Sequence, residues 1–267
     1  MPRVSVHGVD VFYRDEGQGE PVVLAHSSTA SSGQWRDLIS QLSTRYRVLA
    51  PDHLGYGRTG PYRGHLPLMD HEVAVIEALL RLAGSPAHFI GHSFGGSVLV
   101  RVASRMPDRV RSLTLIEPIL FYLLQGDEKL DEYNEIKAVA DRVVRYVDAG
   151  DAGEAARGFI NYWVGPRGYE KMREDLQASI AKGIAKVRQE WKSAFEPCGA
   201  TIDKLTEFGF PILLLSGAKT TPPSAAVTGL LRQIWPKAKY AEIEGAGHMS
   251  PVTHASVVNP IILDFVG

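Results

Sequence analysis

The sequence predicts an α/β fold, with a mostly parallel, eight-stranded sheet flanked by helices and interrupted by a helical cap. Short apolar runs alternate with amphipathic helical stretches in both terminal parts of the chain. That alternation stops between about Pro118 and Glu207, where only helical patterns occur. A glycine-rich turn, Gly91–Gly95, lies between an apolar strand and a helix. We therefore expect one core domain, formed by residues 1–118 and 206–267, with a cap insertion at 119–205.

The elements before the insertion follow from their periodicity. Arg3–Val6 and Val9–Arg14 alternate in hydrophobicity around a His7-Gly8 turn, which predicts a hairpin. Apolar runs then predict buried strands at Val22–Ala25, Tyr46–Ala50, Ala87–Gly91 and Ser112–Ile116. Helical spacing predicts the intervening helices at Gln34–Leu42, Asp70–Leu82 and Phe94–Arg105.

The alternation returns after the insertion. The same patterns predict strands at Pro211–Leu215 and Tyr240–Ile243 and helices at Ala225–Trp235 and His254–Val266. The insertion itself is charged and amphipathic, with helix breaks at Gly150, Gly165-Pro166 and Pro197.

The composition excludes several function classes. The chain has 267 residues, with 29 Lys plus Arg against 30 Asp plus Glu, and this balance argues against nucleic acid and anionic membranes as partners. Its one cysteine, Cys198, excludes an intrachain disulfide and a zinc–cysteine cluster. Neither a signal peptide nor a transmembrane run is visible, so we expect a cytoplasmic protein.

Ser93 is at the centre of the glycine-rich turn. A nucleophile on a sharp strand-to-helix turn needs small residues two positions away on each side, because larger side chains clash as the turn tightens. The turn also places the backbone N–H of Phe94 at a helix N-terminus, where negative charge is favoured. A glycine-rich turn with a chance serine would explain the pentapeptide alone, but the flanking strand and helix favour Ser93 as a nucleophile.

His248 lies in the glycine-rich loop Gly245–Met249, after the last predicted strand. Serine is a weak nucleophile until a base takes its proton, and histidine has a suitable pKa. Open parallel sheets place their sites at the carboxyl ends of the strands. We therefore expect His248 to be the general base. Other histidines near the same edge are expected to hold the backbone: His26, His53 and His92.

These motifs together resemble the α/β-hydrolase family over almost the whole chain. The matching segments are the His26 turn, Asp52–Gly57, the Gly91–Gly95 nucleophile elbow and Gly247-His248, with the insertion in the place of the family's helical cap. The resemblance implies the fold but leaves the substrate open, because this fold hosts many chemistries.

The chain departs from the family at the acid. The family commonly has aspartate after the strand predicted at Pro211–Leu215, and this chain has Thr220 at that position. Threonine carries no negative charge, whereas a histidine base needs a carboxylate to fix its tautomer and stabilise its imidazolium form.

Some family members take the acid from the end of the preceding strand, which here is Glu117. Pro118 is expected to keep Glu117 extended at the strand end. Glu117 is therefore predicted to be the acid, although it can also be explained as an ion-pairing residue at the cap junction. The alternatives are Asp203, Asp127 and a site with no acid at all.

The resemblance also implies an oxyanion hole and a pocket. By position, the backbone N–H groups of Ser28 and Phe94 would hold the oxyanion. Aromatic residues at the start of the insertion and on its helices are expected to line an apolar substrate pocket, although each is also explained by packing within the cap: Phe121, Tyr122 and Trp163.

The predicted function is a serine hydrolase that cleaves a small or medium ester through an acyl-enzyme, with a Ser-His-Glu triad. It needs no metal or organic cofactor and takes a partly apolar small molecule. The alternatives on the same fold are a carbon–carbon bond hydrolase, a thioesterase, a lactonase, a cofactor-free peroxidase and a non-catalytic binding protein. The oligomeric state is not predicted.

Overall fold

The computed structural model of the chain describes residues 2–64 and 66–267. The described residues include eight strands that form one sheet in the order β1-β2-β4-β3-β5-β6-β7-β8. The strands are β1 (Arg3–Val6), β2 (Val9–Glu16), β3 (Glu20–Ala25), β4 (Tyr46–Pro51), β5 (Ala87–His92), β6 (Val110–Ile116), β7 (Ile212–Gly217) and β8 (Lys239–Ile243).

The sheet is mostly parallel, as predicted. β2 runs antiparallel to both of its neighbours, β1 and β4, and every other pairing is parallel. The predicted hairpin is present, with Arg3 opposite Phe12 and Val6 opposite Val9. Because β5, β6, β7 and β8 are consecutive neighbours, the loops that follow them meet at one edge of the sheet.

Ten α-helices lie within the described residues, and each predicted helix is among them. They are α1 (Arg36–Leu42), α2 (Leu68–Ala83), α3 (Phe94–Arg105), α4 (Leu130–Asp148), α5 (Ala152–Val164), α6 (Glu174–Ala194), α7 (Ile202–Thr206), α8 (Pro222–Ile234), α9 (Ser250–Thr253) and α10 (Ala255–Val266). The helix predicted at Gln34–Leu42 starts instead as a 3-10 turn, Ser32–Trp35, because the Ser31 side chain accepts from the Gly33 N–H and caps that turn. None of the described helices has the length and apolar character needed to cross a membrane.

The sheet separates two apolar layers. Successive residues of β3 alternate between them, with Val22 and Leu24 in one layer and Val23 and Ala25 in the other. Helices α1 and α10 cover the first layer, and α2, α3 and α8 cover the second. Buried side chains of α4, α5 and α6 join the second layer, so these helices, inserted between β6 and β7, share their core with the sheet.

A buried lysine joins α6, one of the inserted helices, to α2, which covers the second layer. The Nζ of Lys186 on α6 lies 2.8 Å from Glu72 Oε1 on α2 and 3.0 Å from Glu190 Oε1. The same ammonium lies 4.2 Å from the ring centroid of Tyr56 and 4.8 Å from that of Phe94. A charge this deep is tolerated because its partners are also buried and of opposite sign.

Lys186→Met is expected to lower the free energy of unfolding by about 3–5 kcal/mol, because removing one partner leaves a buried carboxylate uncompensated. Burial alone raises the pKa of Glu72, but Lys186 and His53 outweigh it and lower that pKa to about 2. Urea unfolding measures the loss. Lys182→Met, an exposed lysine on the same helix, is the matched control and is expected to change stability by less than about 0.5 kcal/mol.

The same ion pair gives a pH dependence. Since the pKa of Glu72 is lower in the folded chain than in the unfolded chain, its contribution is complete above the unfolded value and is lost as the pH falls toward 2. The stability difference between Lys186→Met and the parent chain is therefore expected to shrink at low pH. Equal stability of Lys186→Met and the parent at neutral pH would contradict the assignment.

Candidate active site

Ser93 is on a strained turn between β5 and α3. Its backbone has φ 54° and ψ −118°, in a region that side-chain-bearing residues rarely adopt. A Cβ on Gly91 would lie 2.6 Å from Gly96 Cα, and a Cβ on Gly95 would lie 2.3 Å from the Ala25 carbonyl oxygen. Only glycine fits at these two positions, as the sequence predicted for a nucleophile elbow.

His248 lies in the loop that joins β8 to α9. Its Nε2 is 3.0 Å from Ser93 Oγ, within hydrogen-bond distance. Both side chains are almost fully buried. The two residues are 155 positions apart in the chain and meet because their loops leave the same edge of the sheet.

Glu117 completes the chain of hydrogen bonds. Its Oε2 lies 2.6 Å from His248 Nδ1, which donates, so that Nε2 is left free to accept from Ser93. The same Oε2 accepts from Thr220 Oγ1 at 2.5 Å, and Oε1 accepts from the Gly217 N–H at 2.7 Å. Thr220, at the family's usual aspartate position, therefore donates to the carboxylate that contacts His248.

The backbone of Glu117 differs from the prediction. Pro118 was expected to keep it extended, but its φ is 44°, in the left-handed region. Contacts at both ends of the residue hold it there: its N–H donates to the Leu215 carbonyl of β7 at 3.2 Å, and its carboxylate reaches across the end of β7 to the Gly217 N–H. The alternative acids, Asp203 and Asp127, are exposed.

The local contacts keep Glu117 ionised. Burial alone raises the pKa of its carboxyl group, but the donors from His248, Gly217 and Thr220 together lower that pKa below the usual value. A carboxylate next to Nδ1 stabilises the positive charge that develops when Nε2 takes a proton.

Two backbone N–H groups are available beside Ser93. Ser28 lies on the loop after β3 and lines the cavity at Ser93, and Phe94 is the first residue of α3. Within residues 2–64 and 66–267, neither N–H donates to another protein group. A free N–H at a helix N-terminus favours negative charge.

Most of the chain matches a known family model. The model of the alpha/beta hydrolase fold family matches residues 20–255 of the chain. The chain belongs to this α/β-hydrolase family.

Several related proteins align with almost the whole length of this α/β-hydrolase. A non-heme chloroperoxidase from Streptomyces lividans is 29% identical, covering 97% of this chain and 96% of the relative. A 2-hydroxymuconate semialdehyde hydrolase from Pseudomonas sp. (strain CF600) is 25% identical, covering 97% and 91%. The crystal structure of a hydrolase from Pseudomonas aeruginosa PA01 has a TM-score of 0.79 at 24% identity, covering 100% and 98%, and this likeness shows the fold alone.

A cavity of about 360 Å³ opens at Ser93 and His248 in this α/β-hydrolase. Its volume is within the range of small-molecule sites. The segment inserted between β6 and β7 supplies an apolar wall, formed by Phe159, Ile160, Trp163, Val164, Met172, Leu176 and Ile180. The loop after β3 supplies a hydroxyl-rich wall, formed by Ser27, Ser28, Thr29 and Ser31. No Asp, Glu, Lys or Arg is among the lining residues in the described part of the chain.

Of the three aromatic residues predicted to bind substrate, only Trp163 reaches the site. Its ring lies 4.2 Å from the His248 ring, centroid to centroid, and lines the cavity. The prediction was wrong for Phe121 and Tyr122, which line neither of the described cavities that reach Ser93. They lie in a 3-10 turn that packs into the core, where Phe121 stacks on Trp191 and the Tyr122 hydroxyl donates to the Ala200 carbonyl.

The helical residues of the apolar wall carry a periodic signal, although Ile160, Val164, Leu176 and Ile180 were not predicted to line the site. Phe159, Ile160, Trp163 and Val164 repeat on one face of α5, and Leu176 and Ile180 are one turn apart on α6. Such stripes predict burial but do not distinguish a core from a cavity wall.

Among the described residues, no group of three or more His, Cys, Asp or Glu side chains is arranged to hold a metal ion.

Proposed function

We propose that this chain is a serine hydrolase that cleaves small or medium, uncharged esters through an acyl-enzyme. The observation that carries the proposal is the line of hydrogen bonds from Glu117 through His248 to Ser93, which ends at the wall of an apolar cavity. Serine gains nucleophilicity from an oriented base, and the base gains orientation from a carboxylate.

The proposed reaction has two halves. Ser93 Oγ attacks the ester carbonyl while His248 Nε2 takes the hydroxyl proton, and Glu117 stabilises the resulting imidazolium. The N–H groups of Ser28 and Phe94 hold the developing oxyanion. His248 then returns the proton to the leaving alcohol, which leaves an acyl group on Ser93. A water, activated by the same histidine, releases the acid and restores the serine.

The cavity supports the choice of substrate. Because no Asp, Glu, Lys or Arg of the described residues lines the 360 Å³ cavity, a charged substituent there would lose its hydration without gaining a partner. The smaller cavity that also reaches Ser93 has one carboxylate on its wall, Glu190, and that carboxylate is paired with Lys186. The apolar wall suits an alkyl or aryl group. We also propose that residues 119–205 act as a cap over a core of residues 1–118 and 206–267, in a cytoplasmic enzyme.

A fluorophosphonate probe tests the proposal directly. It is expected to label the parent chain and Ser104→Ala, a variant of another serine on α3, but not Ser93→Ala. A panel of neutral esters of increasing chain length, with a carboxylate-bearing analogue of each, then tests the substrate class. Labelling of Ser93→Ala, or preference for the charged analogues, would contradict the proposal.

The panel also separates the other reactions that this fold supports. It includes a thioester, a lactone, a vinylogous 1,5-diketone for carbon–carbon cleavage, and a carboxylic acid with hydrogen peroxide. An ester as the best substrate by kcat/KM is the expected result. A chain that is folded yet inert toward the probe and every substrate would instead be a binding protein.

Trp163→Leu is expected to change the preference among esters. The ratio of kcat/KM between bulky and small neutral esters is expected to rise about tenfold, because the shorter side chain enlarges the cavity beside Ser93. Trp235→Leu is the matched control, since Trp235 is buried outside both cavities and donates to the Leu205 carbonyl. A uniform rate loss across all esters would place Trp163 in the packing core alone.

A further inference from the structure

A line of hydrogen bonds runs beneath the site from the loop that carries Ser28 to the loop that carries His248. It passes through Gln34 and His92, which have no part in the reaction proposed above. We propose that Gln34 and His92 are positioning residues that form a bridge between the oxyanion N–H of Ser28 and the general base. The inference rests on the proposed hydrolase function and adds two residues to its machinery.

The first end of the bridge holds the loop after β3. The backbone N–H of Ser27 donates to Gln34 Oε1 at 3.1 Å, and its Oγ donates to the same oxygen at 2.8 Å. These two bonds fix the residue immediately before Ser28. The next residue, Thr29, has φ 58°, which is costly for a β-branched side chain and persists only where the surroundings hold it. Gln34 supplies such a hold.

The Gln34 amide can take only one orientation. Its oxygen faces two donors from Ser27, so its NH₂ group must face His92, and Nε2 lies 3.2 Å from His92 Nδ1. A flipped amide would set NH₂ against N–H and O–H donors and would leave Nδ1 without a donor. The bridge therefore has a fixed direction.

The second end of the bridge holds the loop that carries His248. His92 Nε2 donates to the His248 carbonyl at 2.9 Å, while Nδ1 accepts from Gln34, so the ring carries one proton. Full burial, followed by the nearby His248, lowers the pKa of His92 to about 3. His92 therefore stays neutral, and the bridge keeps its polarity over the range in which a histidine base works.

The bridge connects all three parts of the site. His92 is the residue before Ser93. The loop that carries Ser28, the turn that carries Ser93 and the loop that carries His248 are therefore held to one another at a single buried ring. The donor that will meet the oxyanion gains most of its value from being in place before charge develops. A displacement of about 1 Å can cost about 100-fold in rate.

The test uses two single variants and their combination. Gln34→Met keeps the length of the side chain and removes all three of its hydrogen bonds, two with Ser27 and one with His92. His92→Asn is too short to reach the His248 carbonyl, yet keeps a polar group beside Gln34. Each is expected to lower kcat by about 10- to 100-fold with KM changed less than about threefold. Gln41→Met, an exposed glutamine on α1, is the matched control and is expected to match the parent.

Two readouts distinguish positioning from general packing. Affinity for an alkyl boronic acid, which forms a tetrahedral adduct with the serine, is expected to fall by the same factor as kcat/KM. The double variant is expected to be no more than about twofold slower than the slower single variant. Either single variant already breaks the connection between the two loops, so the second substitution removes little more. If His92→Asn does not fold, Ser27→Ala replaces it, with an expected loss of about two- to fivefold from the one donor removed.

The outcomes separate the two levels of inference. Absence of activity and of Ser93 labelling in the parent chain overturns the proposed function, and the bridge with it. An active parent with single variants within twofold of its kcat overturns the bridge alone. Losses that multiply in the double variant, or that appear in KM with unchanged boronic acid affinity, also overturn it. Reduced kcat, matched boronate loss and a non-additive double variant support it.

Discussion

Ser93→Ala is expected to abolish ester turnover, with a loss of at least about four powers of ten in kcat. Removing the nucleophile of a serine triad costs about six powers of ten in a protease, and what remains comes from the oxyanion hole and binding. The melting temperature is expected to stay within a few degrees of the parent, because the hydroxyl contributes a single hydrogen bond, to His248 Nε2.

The measurement is kcat on the best ester of the panel, with circular dichroism melting on the same samples. Ser104→Ala is the control, since its hydroxyl donates only to the Val100 carbonyl within α3. If Ser93→Ala kept a tenth of the parent activity, the proposed nucleophile would be wrong. His248 would then have to take its proton from a nucleophile other than Ser93.

Glu117→Gln is expected to lower kcat by about two to four powers of ten. Both carboxylate oxygens accept hydrogen bonds, Oε2 from His248 and Thr220 and Oε1 from the Gly217 N–H. An amide has one acceptor oxygen, so in either orientation its NH₂ group faces a donor. The imidazolium also loses its negative partner, and a wrong histidine tautomer costs about 10⁴ in a protease.

A second carboxylate is expected to restore part of the lost rate. Thr220 Oγ1 bonds the same oxygen of Glu117 that meets His248, so Asp at position 220 lies within reach of the ring. Glu117→Gln with Thr220→Asp is therefore expected to be faster than Glu117→Gln alone. Thr221→Asp in the same background is the control, because Thr221 bonds Ser224 instead. A near-parent rate for Glu117→Gln would show that Glu117 is not the acid.

The sequence was most informative where backbone geometry admits few residue types. Gly91 and Gly95 could be assigned to a tight strand-to-helix turn because any Cβ there collides with backbone. The strands were predictable because runs such as Val22–Ala25 are apolar on both faces, as strands covered by helices on both sides must be. Glu117 was predicted as the acid from the resemblance to family members that take it from the preceding strand, and its Oε2 lies 2.6 Å from His248 Nδ1.

The inserted helices were less predictable. Phe121 and Trp163 are both aromatic, yet one is buried in the core and the other lies on the cavity wall. Which face of a helix meets a cavity depends on how neighbouring helices pack, and a hydrophobic stripe does not encode that. The pairing of Lys186 with Glu72, 114 positions away, has no local signal either.

The Lys186 ion pairs have a consequence for how molecules enter and leave. The pair with Glu72 fixes α6 to α2 with buried charges, so swinging the inserted helices open as a lid would expose or separate those charges. The side chains at the cavity mouth are instead half exposed: Val164 at 43%, Leu176 at 45% and Val252 at 53%. Rotamer changes at such positions take picoseconds to nanoseconds, whereas lid motions take microseconds or longer. We expect substrate exchange to proceed through these side chains, so that bond chemistry rather than access limits the turnover rate.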